Sequence, residues 1–178
     1  MRSDEELWRL HLSGSQAAMA ELVERYYRRG FRYCYLLLNN KDDASDAVQE
    51  VWAKLAKSRE PYRKFEIVLF TALRNEAFST LRKRGRTQEL GDIEPPDNSH
   101  VALQPEAALD PDCIAESILA ILVPEDRELV ILRIYENRDW EAISELLGVR
   151  KNTLEVRWHR LMEKLKVSLT KDLVRKKD

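Results

Sequence analysis

Glycine and proline are scarce in this chain, five and six residues among 178. With so few breakers, long helices can run uninterrupted. Cysteine is scarcer still. Cys34 and Cys113 stand alone and far apart, which excludes a disulfide framework or a cysteine metal cluster. Cys34 lies in the apolar run YCYLLL and reads as a buried thiol; its oxidation with Cys113 would require a geometry that sequence does not specify. His11, His100 and His159 have no metal-pair spacing, so no metal and no cofactor is expected. A Gly-rich phosphate loop and a nucleophile–base set are also missing, so no enzyme is expected. No apolar run approaches the ~20 residues that span a bilayer. The opening MRSDEEL is acidic and polar, unlike a secretory signal. The expected setting is the cytoplasm, without membrane insertion.

Charge is plentiful but uneven. The net value of −1 hides two basic ends and an acidic middle. Residues 1–84 carry 16 Lys/Arg against 12 Asp/Glu, residues 85–116 carry 1 against 8, and residues 117–178 carry 13 against 11. Such asymmetry points to a polyanionic partner at the ends. The acidic middle, GRTQELGDIEPPDNSHVALQPEAALDPD, holds four of the six prolines and has no sustained apolar period. It reads as a linker over 87–114 between helical domains at 1–86 and 115–178. The fold class is therefore all-α, two small helical domains on a flexible acidic linker.

Four helices are expected in the first domain. They cover about 4–12, a second after a Ser15 N-cap with a kink or continuation at Gly30, about 43–58 and about 65–84. In the third, KDDASDAVQEVWAKL, Asp42 or Asp43 suffices as N-cap. Ala44, Val48, Val51, Trp52 and Leu55 share a buried arc, and Asp43, Asp46 and Glu50 fall within about 60° on the opposite side, with Gln49 at its edge. Capping does not explain acid and amide two turns into the helix. The fourth helix ends in Arg82, Lys83, Arg84 and Arg86, more cation than a helix C-terminus needs.

The second domain has a break at Pro124, a helix capped by Glu125 or Asp126, a short amphipathic helix DWEAISELLG ended by Gly148, and a longer basic helix. That is the helix-turn-helix pattern. Leu154, Trp158, Leu161 and Leu165 form one face, packing on Trp140, Ile143 and Leu147. The other face shows Lys151, Asn152, Glu155, Val156, His159 and Arg160. These types suit base edges and phosphates, and equally a solvated face.

LVPEDRELVILRIYENRDWEAISELLGVRKNTLEVRWHRLMEKLK resembles the promoter-reading C-terminal domain of the extracytoplasmic-function (ECF) branch of sigma-70 factors. DASDAVQEVW and ALRNEAFSTLRKRGR are similar to the polymerase-docking signature and the −10 helix of that family's other core domain. The resemblance covers nearly the whole chain, in order. It implies a sigma factor that binds core RNA polymerase through the β′ clamp helices and β flap, contacts promoter DNA and directs initiation. The family is commonly held by an anti-sigma factor. A sigma-derived DNA-binding regulator that no longer serves polymerase is the alternative.

The resemblance assigns polymerase docking to Asp43, Asp46, Gln49 and Glu50. It assigns the −10 region to Arg74, Asn75, Arg82, Lys83 and Arg84. The preceding loop adds Tyr62, Arg63 and Lys64, of stacking and phosphate-binding type, or simply an exposed basic turn. The −35 element falls to Arg150, Lys151, Asn152, Thr153, Glu155, Val156, Arg157, His159 and Arg160. Departures from the family pattern are Val68 for an aromatic, Ser79 for an acid, a shortened loop before the −10 helix, Glu155, and Arg150 for a small cap, so that this helix starts poorly or later, at Asn152. Ser45 stands where the signature has Glu. It is either a tolerated change at the ridge's rim or a regulatory site whose phosphorylation restores the charge.

Overall fold

The computed structural model describes residues 2–90 and 118–175, and the described residues are helices and their connections, without a strand. The chain divides into two compact units, Met1–Pro124 and Glu125–Asp178. Most of the expected linker, and Cys113 with it, lies outside the described residues.

In the first unit α1 (Asp4–Leu12) opens on a capping box. The Glu6 N–H donates to Ser3 Oγ, and the Ser3 N–H donates to Glu6 Oε2 at 2.9 Å, which satisfies two N-terminal donors. Ser15 caps α2 (Gln16–Leu38), as its position before the apolar period suggests. Arg25 Nη1 donates to Asp4 at 2.7 Å and the Tyr26 hydroxyl donates to the same carboxylate, tying α2 to α1. Burial, with that carboxylate, pushes the Tyr26 hydroxyl pKa up.

Helix α2 runs through Gly30 without a break. A Cβ there would lie 3.0 Å from Leu73 Cδ1, so this glycine serves close packing against the fourth helix rather than a kink. Asn39, at φ 50°, ends α2, and Asn40 caps α3 (Lys41–Lys57) by accepting the Asp43 N–H at 2.9 Å. Sequence favours Asp42 or Asp43 for that role. Asparagine is as good an N-cap, and the left-handed Asn39 brings the helix start forward to Lys41.

Helix α4 (Phe65–Leu90) continues six residues past its expected end at 84. Gly85 costs only about 1 kcal/mol in a helix interior, and good helix formers such as Gln88, Glu89 and Leu90 follow. Its buried residues Phe65, Leu69, Phe70, Leu73 and Ala77 meet Leu22, Tyr33, Leu37, Val48 and Val51 in one core. Cys34 is fully buried there, and burial pushes its thiol up to about 12, which leaves it unreactive at neutral pH.

The second unit begins at Glu125, the second residue of α5 (Pro124–Val130), which passes into a π-helical turn (Ile131–Tyr135). Proline suits the first helical position because its missing N–H is not needed there. Glu125 and Asp126 therefore lie in the first turn and complement the dipole instead of capping. Helix α6 (Trp140–Leu147) and helix α7 (Lys151–Arg175) complete the unit. Leu129, Val130, Ile131, Leu132, Ile143, Leu146, Leu154 and Leu161 are its buried apolar residues among those described.

Candidate functional site

The outer face of α3 is the acidic ridge the sequence predicts, with one member turned away. Ala44, Val48, Val51, Trp52 and Leu55 are buried, and Ala47 joins them. Asp46, Gln49 and Glu50 are exposed. The Asp46 side chain has no hydrogen bond or ion pair among the described residues. Gln49 Nε2 donates to Ser45 Oγ at 3.1 Å, so the half-buried Ser45 already has a partner on the ridge. Glu50 meets Lys54 at 3.3 Å, and Lys54 donates to Glu76 on α4 at 2.8 Å. Both Glu50 and Lys54 are more than half exposed, so their pair contributes little.

Asp43 instead pairs with Arg84 of α4, whose Nη1 also donates to the Leu38 carbonyl at 3.0 Å. Arg84 thus joins the C-terminus of α2, the first turn of α3 and the body of α4. Its guanidinium is partly desolvated, which lowers its pKa. Two residues assigned to two different partners hold each other within the fold.

The loop between α3 and α4 presents Arg63 and Lys64 to solvent. Tyr62 is half-buried. Its ring stacks on Trp8 with centroids 5.0 Å apart, and its hydroxyl lies 3.0 Å from Ser58 Oγ. On α4, Asn75, Arg82, Lys83 and Arg86 are exposed, while Arg74 lies over the Phe78 ring at 4.7 Å. Val68 and Ser79 are half-buried.

In the second unit Asp139 caps α6 by accepting the Ala142 N–H at 2.7 Å, and Gly148 ends it at φ 66°. Ser144 Oγ donates to the Val149 carbonyl at 2.7 Å, which holds the turn. Helix α7 starts at Lys151, not at Asn152. Arg150 fills the cap position through its carbonyl, which accepts from Thr153 and Leu154 at 3.0 and 3.2 Å. Trp140 and Trp158 meet edge-to-face at 5.9 Å. Leu146, rather than Leu147, is the deeply buried leucine of α6.

Arg150, Lys151, Asn152, Thr153, Val156, Arg157, His159 and Arg160 are exposed, and Glu155 is half-exposed. Four carry internal partners, Glu155 lying 3.9 Å from Lys151. Lys151 Nζ donates to Glu141, which raises the lysine pKa and lowers the carboxyl's. His159 lies 3.7 Å from Glu163. Arg157 Nε donates to Asp126 of α5 at 2.7 Å. Asp126, Asn152, Thr153, Val156, Arg160 and Lys164 line an open groove along this face. Sequence reasoning missed the roles of Asp126 and Trp8, because no spacing signals the contacts of Asp126 with Arg157 and of Trp8 with Tyr62, 31 and 54 residues apart. Among the described residues no cluster of histidine, cysteine, aspartate or glutamate is arranged to hold a metal ion.

Residues 22–87, from within α2 into α4, match the family Sigma-70 region 2. The ECF RNA polymerase sigma factor SigE of Mycolicibacterium smegmatis is 30% identical over 170 residues, covering 89% of this chain. The chain spans 65% of that protein's length. The RNA polymerase sigma factor SigV of Bacillus subtilis is 28% identical over 152 residues, 83% of this chain and 86% of that one. The structure of CnrH in complex with the cytosolic domain of CnrY superposes with a TM-score of 0.69, at 20% identity, over 95% of this chain and 98% of CnrH. The sigma factor RpoE of Bartonella quintana, solved with the anti-sigma factor NepR, gives 0.64 at 25% identity, over 85% and 96%. Over residues 22–87 the chain carries a Sigma-70 region 2, and over most of its length it is similar to extracytoplasmic-function RNA polymerase sigma factors.

Proposed function

We propose that this chain binds core RNA polymerase and directs promoter-specific initiation, contributing recognition rather than catalysis. The observation that carries the reading is the Sigma-70 region 2 match over 22–87, the span that carries the exposed ridge on α3 and the cationic end of α4. In this reading Asp46, Gln49 and Glu50 dock on the β′ clamp helices. Arg63, Lys64, Asn75, Arg82 and Lys83 face the −10 strand, where cations track phosphates. Asn152, Thr153, Val156, Arg157 and Arg160 of α7 face the −35 element, where a recognition helix enters the major groove, and the same unit touches the β flap.

Domains at 1–86 and 115–178 carry the two recognition surfaces. The acidic linker at 87–114, repelled by DNA, lies along a basic polymerase channel. No described helix is long and apolar enough to cross a membrane, and the working place proposed is the cytoplasm. An anti-sigma protein that masks recognition surfaces is the proposed inhibitory partner.

A second reading, a DNA-binding regulator without polymerase, draws on the loss of two charges from the docking face: Asp43 is engaged by Arg84 and residue 45 is serine. Native co-purification separates the two. A sigma factor retains core polymerase subunits through a nuclease wash. A regulator of the second kind retains DNA and releases polymerase.

A further inference from the structure

The loop that carries Tyr62, Arg63 and Lys64 is braced from beneath by α1. Trp8 is 1% exposed. Its indole Nε1–H donates to the Glu60 carbonyl at 2.9 Å. Its ring stacks on Tyr62, tilted 25°, and lies 5.2 Å from Phe65, the first residue of α4, and 4.9 Å from His11. Ser58, which ends α3, closes the loop from the other side. Its Oγ accepts the Glu60 N–H at 3.2 Å and meets the Tyr62 hydroxyl. Loop backbone and loop aromatic are therefore both fixed by one residue that sits 52 positions upstream.

A shortened loop held this way costs little ordering entropy when it meets a ligand. The stack on Trp8 also fixes the plane of the Tyr62 ring, so a base that stacks on it meets a platform already ordered. Arg63 and Lys64 follow directly, exposed, where a phosphate next to that base would lie.

We propose that Trp8 is the positioning residue of the −10 loop: it holds Tyr62 as a preformed platform for one unpaired base of the promoter's single strand. The proposal rests on the sigma-factor reading above and deepens it. Trp8 itself stays buried and touches no DNA.

The test uses holoenzyme formed from core polymerase and the full chain, challenged with a randomised single-stranded −10 library. Trp8→Leu and Tyr62→Leu should each weaken binding to the preferred strand by roughly ten-fold, the scale of one base–aromatic stack, and flatten the preference at one position. The double variant should be no worse than either single one, because both remove the same platform. Trp8→Phe, which keeps a ring but loses the N–H, should fall between. Leu37→Ala, a core truncation about three turns along α2 from Tyr26, should lower the melting temperature and keep the preference. Unchanged base preference in Trp8→Leu, or losses that multiply in the double variant, would overturn the proposal while leaving the sigma-factor reading intact. If the unmodified chain forms no holoenzyme, that reading falls, and the platform with it.

Discussion

Arg84 and Asp46 make a controlled comparison, since both are charged residues of one recognition unit and only one is engaged. Arg84→Ala removes a donor from the Leu38 carbonyl and the partner of Asp43. A charged hydrogen bond of this kind contributes about 1.5–3 kcal/mol, and loss within that range should appear in urea denaturation. Asp46→Asn should leave stability unchanged and weaken polymerase binding in a titration of labelled chain against core. Ser45 sits between these cases. Ser45→Glu adds the charge that the ridge lacks, and should bind core more tightly than Ser45→Ala; equal affinities would assign Ser45 a merely tolerated place beside Gln49. In the second unit, Asp126 restrains Arg157 and places a negative charge in the groove of the reading face. Asp126→Asn should tighten binding to duplex −35 DNA a few-fold, and the logarithmic salt dependence should steepen as Arg157 is released toward a phosphate.

At the scale of elements, the apolar periods of α3 and α7 placed the buried faces, because burial is the strongest demand on a helix's sequence, whereas on α1 Trp8 is buried and Leu10 is exposed. Helix starts were less legible. Asn39 and Asn40 divide the end of α2 and the start of α3 between a left-handed residue and a cap, and nearby aspartates compete for that role in sequence alone. Gly30 was ambiguous for a different reason: only the proximity of Leu73 tells a packing glycine from a kinking one. The Arg84–Asp43 and Arg157–Asp126 pairs were invisible because they join different helices, so residues read from spacing as surface contacts are partly occupied internally. Gly148 was legible, since a glycine after a short amphipathic run marks a left-handed cap. A Cβ there meets nothing within 4 Å, so Gly148→Ala should cost only the conformational term, roughly 1–2 kcal/mol, seen as a lower melting temperature and a weaker −35 contact.

For the whole molecule, a near-neutral net charge conceals surfaces of opposite sign. An exposed acid-and-amide ridge on α3 suits a basic protein partner. The ends of α4 and the outer face of α7 suit nucleic acid, and the acidic segment between the units is repelled by it. Sequence disclosed this arrangement through local charge, without any contact being known. The central claim is that these surfaces together make a promoter-specificity subunit. Run-off transcription from fragmented genomic DNA tests it most directly, using matched core polymerase with and without the chain. Defined start sites should appear only when the chain is present, and should vanish with Asp46→Lys/Glu50→Lys, which reverses the ridge while leaving the DNA-facing helices untouched. Absence of any chain-dependent start with matched core and complete genomic DNA would contradict the account.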